Sequence, residues 1–168
     1  MSQVSSVDWY KRFRAGSCSL SIKADSKNPA LEEIAAGLVK GKALDPAFQD
    51  PLVKTMLARE NRASTGVGMG VAISHVPLEG LDSAHGSISL HQEGLEWSAV
   101  DGGPVHIVFT VVRPEFSTPL YDPEDHIEMM RWIASMASDG DFRAFALQAA
   151  KRSDLIELLR EMQPGGGA

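Results

Sequence analysis

Residues 18–24 alternate apolar and polar positions, with Cys18, Leu20 and Ile22 on one side, and predict a strand. A helix follows over about 29–40, where Leu31, Ile34, Ala35 and Leu38 form one stripe. Ser26 or Asn28 could cap it, and Gly41 would stop it. Asp50-Pro51 offers an N-cap and a first-turn proline for a second helix that ends near Asn61, with Leu52, Val53, Met56 and Leu57 inward. Short apolar runs at 71–73, 87–90 and 97–100 predict further strands, punctuated by turn residues at Gly94 and Asp101-Gly102-Gly103. The near-continuous run Val105 to Val112 predicts a strand covered on both faces. Asp122-Pro123-Glu124-Asp125 reads as a helix start, with a cap, a proline and two first-turn acids. That helix should run to about Ser138, with Ile127, Met130, Ile133, Ala134 and Ala137 inward, and two shorter helices should follow over about 141–150 and 154–162. Strands and helices interspersed in this way imply an α/β fold: one mixed β-sheet in a single domain, flanked by helices on both faces. The domain should span 17–162, after a lead-in over 1–16 that is loose or forms a short docked helix, and before a flexible tail over 163–168.

Composition narrows the class without naming a function. At 168 residues the chain can bury a sizeable core without metal or disulfides. The net charge of -6 argues against a nucleic-acid platform, which needs a basic face. The single cysteine, Cys18, excludes an intrachain disulfide and a thiolate metal cluster, and its apolar neighbours make it a core residue. No segment approaches the roughly 20 apolar residues of a membrane span, and no signal peptide is evident, so the expected compartment is the cytoplasm.

The informative segment runs from Arg59 to His75: Arg59-Glu60-Asn61-Arg62-Ala63-Ser64-Thr65-Gly66-Val67-Gly68-Met69-Gly70-Val71-Ala72-Ile73-Ser74-His75. Glycines at 66, 68 and 70 are evenly spaced, unlike a dinucleotide fingerprint, and no Gly-Lys-Ser/Thr follows as a nucleoside-triphosphate loop requires. Taken alone, such a run serves equally as a tight turn or as a nest of N–H groups for an anion. His106 falls within an apolar strand and reads as structural, while His85 and His91 carry no motif. No histidine pair has the spacing of a helical metal site, so neither a metal nor another cofactor is expected.

As a whole, the string resembles the active-site signature of fructose/mannitol-type enzyme IIA domains of the sugar phosphotransferase system, including its nitrogen-related branch. Gly94-Leu95-Glu96-Trp97, Asp101 to Phe109, Arg113-Pro114-Glu115 and His126-Ile127 resemble later parts of the same family, in order. The resemblance implies that a histidine-containing phosphocarrier protein donates a phosphoryl group to His75. The group would pass to a IIB-type acceptor, or be held as a signal by a stand-alone regulatory module acting on a transporter or kinase. It further implies that His126 and Arg59 flank the phosphoryl group, with Ser64, Thr65, Gly66, Gly68 and Gly70 as donors. A family member usually has proline before the active histidine. Ser74 stands there instead, and its hydroxyl is a candidate phosphoryl contact.

Overall fold

The structure, a computed structural model, describes residues 8–164. Its sheet has the order β1 (Gly66–Gly68), β2 (Val71–Pro77), β4 (Val105–Arg113), β3 (His85–Leu95). β2 and β4 are parallel, and the outer pairs β1–β2 and β3–β4 are antiparallel. One face carries α1 (Lys27–Lys40) and α2 (Gln49–Arg62), whose Leu31, Ile34, Leu38, Leu52 and Met56 pack on Ala72, Val76, Val108 and Val112. The other carries α3 (Pro123–Ala137), α4 (Gly140–Leu147) and α5 (Arg152–Met162), packed on Val71, Ile88, Ile107, Phe109 and Val111. The mixed sheet between two helical layers is the expected α/β architecture.

The glycine run is explained by backbone geometry. Met69 and Gly70, both at positive φ (59° and 77°), form the two-residue turn that joins β1 to β2. Two left-handed central residues match the twist of a hairpin, which is why a glycine is favoured at this point.

Four sequence expectations are corrected. Residues 18–24 form no strand. They run beside β3 with a single bridge, Ser19 to Ser89, because the N–H groups of Lys23 and Ala24 turn aside to the Glu33 carboxylate. Cys18 is buried in the core, but Ile22 belongs to the cluster on the opposite face. Trp97 to Val100 also forms no strand, since Ser98 adopts a left-handed backbone (φ 54°) and Lys27 and Ser64 both donate to the Trp97 carbonyl. In α3 the inward stripe is His126, Met129, Ile133, Met136 and Ala137, so Ile127 and Ala134 face outward. The α2 cap also differs: Asp45 caps a preceding short turn, and Asp50 lies inside the helix.

The lead-in is docked from Trp9 onward. A short 3-10 turn, Trp9–Arg12, places Trp9 against Trp132 at 5.6 Å and its indole N–H on the Asp125 carboxylate at 3.2 Å. Gln163 is buried and accepts the Tyr10 N–H, so the segment after α5 is tied down at its first residue. The remainder of the expected tail, from 165 on, and residues 1–7 lie outside the described residues.

Candidate functional site

β2 and β4 run parallel and end at the same edge of the sheet, the edge where open α/β folds collect their ligands. His75 is near the end of β2. The β4–α3 connection returns to this edge, where the Asp122 carboxylate caps α3 by accepting the Glu124 N–H. The fourth helical residue is His126, buried on the inward face. This brings His126 Nε2 to 2.8 Å from His75 Nε2, with ring centroids 4.8 Å apart. Tyr121 packs edge-on against the His126 ring.

Two nitrogens at that distance share one proton, so the two rings cannot both be imidazolium. Burial, then the neighbouring imidazole, then Arg113 and Arg59 hold the His75 pKa down to about 4. Burial and then Arg113 hold His126 down to about 4 as well, opposed by Asp125. The α3 N-terminus works in the same direction, because its dipole disfavours an imidazolium. A neutral imidazole with a directed lone pair is a nucleophile near neutral pH.

His75 lines an open cleft of about 690 Å³ against the outer side of α2, with Lys54, Arg59 and Arg62 as its cations. Arg59 is half-buried at the end of α2, where its guanidinium donates to the Ala63 carbonyl at 2.7 Å. Glu60, the next residue, points inward and is buried. It accepts the Thr65 N–H (2.9 Å) and the Trp97 indole N–H (3.0 Å), as well as the Thr65 hydroxyl. The closed carboxylate network fixes how the chain leaves α2, and with it the base of Arg59. Sequence reasoning passed over Glu60. Its signal was an acidic residue in phase with Leu52 and Met56 on the buried stripe.

The remaining candidate residues separate by distance and by face. The Ser64 hydroxyl donates to the Trp97 carbonyl, and the Thr65 hydroxyl is bound to Glu60, so both are engaged in holding the loop. Gly66, Gly68 and Gly70 belong to the β1–β2 hairpin. Gly70 is five residues before His75, roughly 16 Å at strand rise, while Gly68 and Gly66 pair with Val71 and Ala72, so the three glycines are strung along the start of β2 rather than gathered around the histidine. Ser74 is buried and points to the α1–α2 face with Ala72 and Val76, opposite His75. His106 is bound to the carbonyls of His91 and Gln92, as a structural residue would be.

A model of the family "Phosphoenolpyruvate-dependent sugar phosphotransferase system, EIIA 2" matches residues 12–162. The chain belongs to the EIIA 2 family. A nitrogen regulatory protein of Pseudomonas aeruginosa is 31% identical over 150 residues, covering 89% of this chain and 93% of that protein. The crystal structure of nitrogen regulatory protein IIA-Ntr from Neisseria meningitidis has a TM-score of 0.77 at 25% identity, covering 89% of this chain and 97% of that one. An Escherichia coli enzyme IIAMTL, solved in complex with phosphorylated enzyme IIBMTL, shares the fold with a TM-score of 0.63 at 19% identity, covering 88% of this chain and 97% of that one. EIIA 2 domains are phosphotransferase components, and this member has their mixed-sheet fold with His75 and His126 paired at the sheet edge. Among its described residues no helix is long and apolar enough to cross a membrane.

Proposed function

We propose that this EIIA 2 protein is a cytoplasmic phosphoryl carrier that accepts its phosphoryl group on His75 from a histidine-containing phosphocarrier protein. The observation that carries the reading is the hydrogen-bonded His75–His126 pair, whose His75 lines the same cleft as Arg59. If His126 donates its Nε2–H, the His75 Nε2 lone pair is held and aimed. As the donor arrives, His126 turns its Nε2–H from that lone pair to a phosphoryl oxygen, and the freed lone pair attacks phosphorus, forming the new N–P bond. The N–P bond of the donor breaks, and the donor imidazole leaves with the electron pair. Charge builds on the three equatorial oxygens, so catalysis is positioning plus electrostatic stabilisation. The free guanidinium nitrogens of Arg59 can bind two further oxygens.

The surroundings suit a protein as the exchange partner. Phe116, Leu120 and Ile127 are large, apolar and exposed in the β4–α3 connection and the first turn of α3. Exposed apolar side chains beside a reactive group favour transient docking. Onward transfer to a IIB-type acceptor is one destination. Regulation of a transporter or kinase through the phosphorylation state is the second, and similarity to nitrogen regulatory proteins over 89% of the chain favours it. Incubation with phosphoenolpyruvate, the general phosphotransferase enzyme and the phosphocarrier should give an acid-labile, base-stable adduct. Label that persists in His75→Ala would refute His75 as the acceptor.

A further inference from the structure

We propose that Arg113 is a second guanidinium of the phosphoryl site, binding the anion from the β4 side while Arg59 approaches from α2. The inference rests on the carrier reading of His75 and adds a residue to that site.

The argument starts from strand register. In the parallel β2–β4 ladder His75 pairs with Val111, and Pro77 pairs with Arg113. Paired residues share a face and alternate residues return to it, so Arg113 is on the His75 face, two residues nearer the open edge. Two residues along and one strand across is roughly 8 Å between Cα atoms, well within the reach of an arginine. The α3 N-terminus, with His126, covers this same face.

The state of the side chain is a second observation. Arg113 is half-buried, and among the described residues no carboxylate is within ion-pair distance of it. One guanidinium nitrogen donates to the Pro114 carbonyl at 3.0 Å, which steadies the fork and leaves its other donors free. A partly desolvated cation without a counter-ion costs stability, and a dianionic phosphoryl group on His75 would supply the counter-ion. Arg113 also bears on both imidazoles. Its influence on His75 exceeds that of Arg59, and on His126 it is the largest of any charged group. The sequence carries a matching irregularity, because an apolar run from Ile107 ends in arginine at the point where β4 reaches the site.

The test compares wild type, Arg113→Met and Arg113→Lys in two measurements. Inorganic phosphate is titrated against the histidine side-chain NMR signals, and single-turnover transfer from the phosphorylated carrier is timed. Arg113→Met is expected to weaken phosphate binding about tenfold and slow transfer about ten- to a hundredfold, with lysine restoring part of each. Thermal melts of Arg113→Met should not fall below the wild-type value, since the unpaired cation costs stability, and this separates anion binding from a structural role. Unchanged phosphate affinity in Arg113→Met overturns the proposal, as does a wild type whose histidine signals ignore phosphate. If the carrier never labels wild type, yet Arg113→Met still loses phosphate affinity, the carrier reading falls and the anion site stands. If wild type is labelled and Arg113→Met matches it in both measurements, the reverse holds.

Discussion

His126 Nε2 meets His75 Nε2 at 2.8 Å across a separation of 51 residues, with the two ring planes 37° apart. The contact joins the end of a central strand to the first turn of a helix that begins only after the β4–α3 connection. One ring must donate and the other accept, so the pair holds a fixed tautomer arrangement before any phosphoryl group arrives. His126→Ala removes the donor and is expected to slow phosphoryl transfer to His75 by about tenfold, equivalent to one lost hydrogen bond of about 1.4 kcal/mol. His126→Gln keeps an amide N–H on a side chain of similar length and should recover part of the rate. Single-turnover transfer, run beside thermal melts, checks this. A His126→Ala protein that melts lower but transfers at the wild-type rate would reduce His126 to a packing residue.

Arg59→Lys keeps the charge in the cleft but loses the planar fork and the bond to the Ala63 carbonyl. Transfer should slow by roughly ten- to a thousandfold while His75 remains the labelled residue. The fold should persist, because α2 is held by Leu52, Met56 and the Glu60 network rather than by Arg59. Equal rates for arginine and lysine would remove the clamp.

Ser74 and His75 are neighbours on β2 and therefore point to opposite faces of the sheet. The Ser74→Ala protein is expected to accept phosphoryl at the wild-type rate, as judged by the same single-turnover measurement. A clear loss of rate would mean that the hydroxyl reaches the site around the strand end.

Much of this arrangement was legible in the residue order, and the misses have physical causes. Asp122-Pro123 located α3, and the apolar run 105–112 located β4, because capping chemistry and burial on both faces are local signals. Alternation from 18 to 24 misled because period two records which side is buried, and an extended segment beside a sheet edge has the same period without the ladder. Ile127 was placed one step out of phase, since a helix with His126 and Met129 inward presents its apolar neighbours at 127 and 130 to the flank. Gly66, Gly68 and Gly70 supply local freedom of φ, but whether the resulting turn lies beside His75 or at the far end of β2 depends on the direction of the strand. Arg113 becomes visible only through the parallel register of β2 and β4, a tertiary fact no local window contains.

Behind His75, on the α1–α2 face, Ser74, Thr110 and Ser87 are paired across β2, β4 and β3. Thr110 Oγ1 and Ser87 Oγ are buried without a hydrogen-bond partner among the described residues. Thr110→Val replaces a desolvated hydroxyl by a methyl group of nearly the same shape. It is expected to stabilise the protein by about 1 kcal/mol, read as a shift in urea midpoint at constant m. Destabilisation would mean that the hydroxyl has a partner in solution.

The last prediction concerns acid. Burial is the main cause that holds His75 and His126 down to about 4 in the fold, against 6.5 for an unperturbed histidine. Between those two values the unfolded chain takes up protons that the folded chain refuses. Unfolding free energy must therefore rise with pH across this window, be fully present above the unfolded value of 6.5, and be lost as pH falls toward 4. Each extra proton bound by the unfolded chain sets a slope of about 1.4 kcal/mol per pH unit, and the pair should supply at least one such proton. His85, half-buried near Arg14 and Arg12, is shifted in the same direction and adds to the slope. A His75→Asn/His126→Asn double variant is expected to flatten the dependence relative to wild type, leaving the His85 share. Phosphoryl acceptance should follow the folded value instead, staying level as pH drops below neutral, because the nucleophile remains unprotonated there. Urea titrations at stepped pH give the first quantity, and transfer rates under the same buffers give the second. A wild type whose stability is level from pH 6.5 toward 4, or whose acceptance rate falls with an ordinary histidine midpoint, would show that the histidines titrate in the fold as unperturbed imidazoles and that the pair is not held neutral.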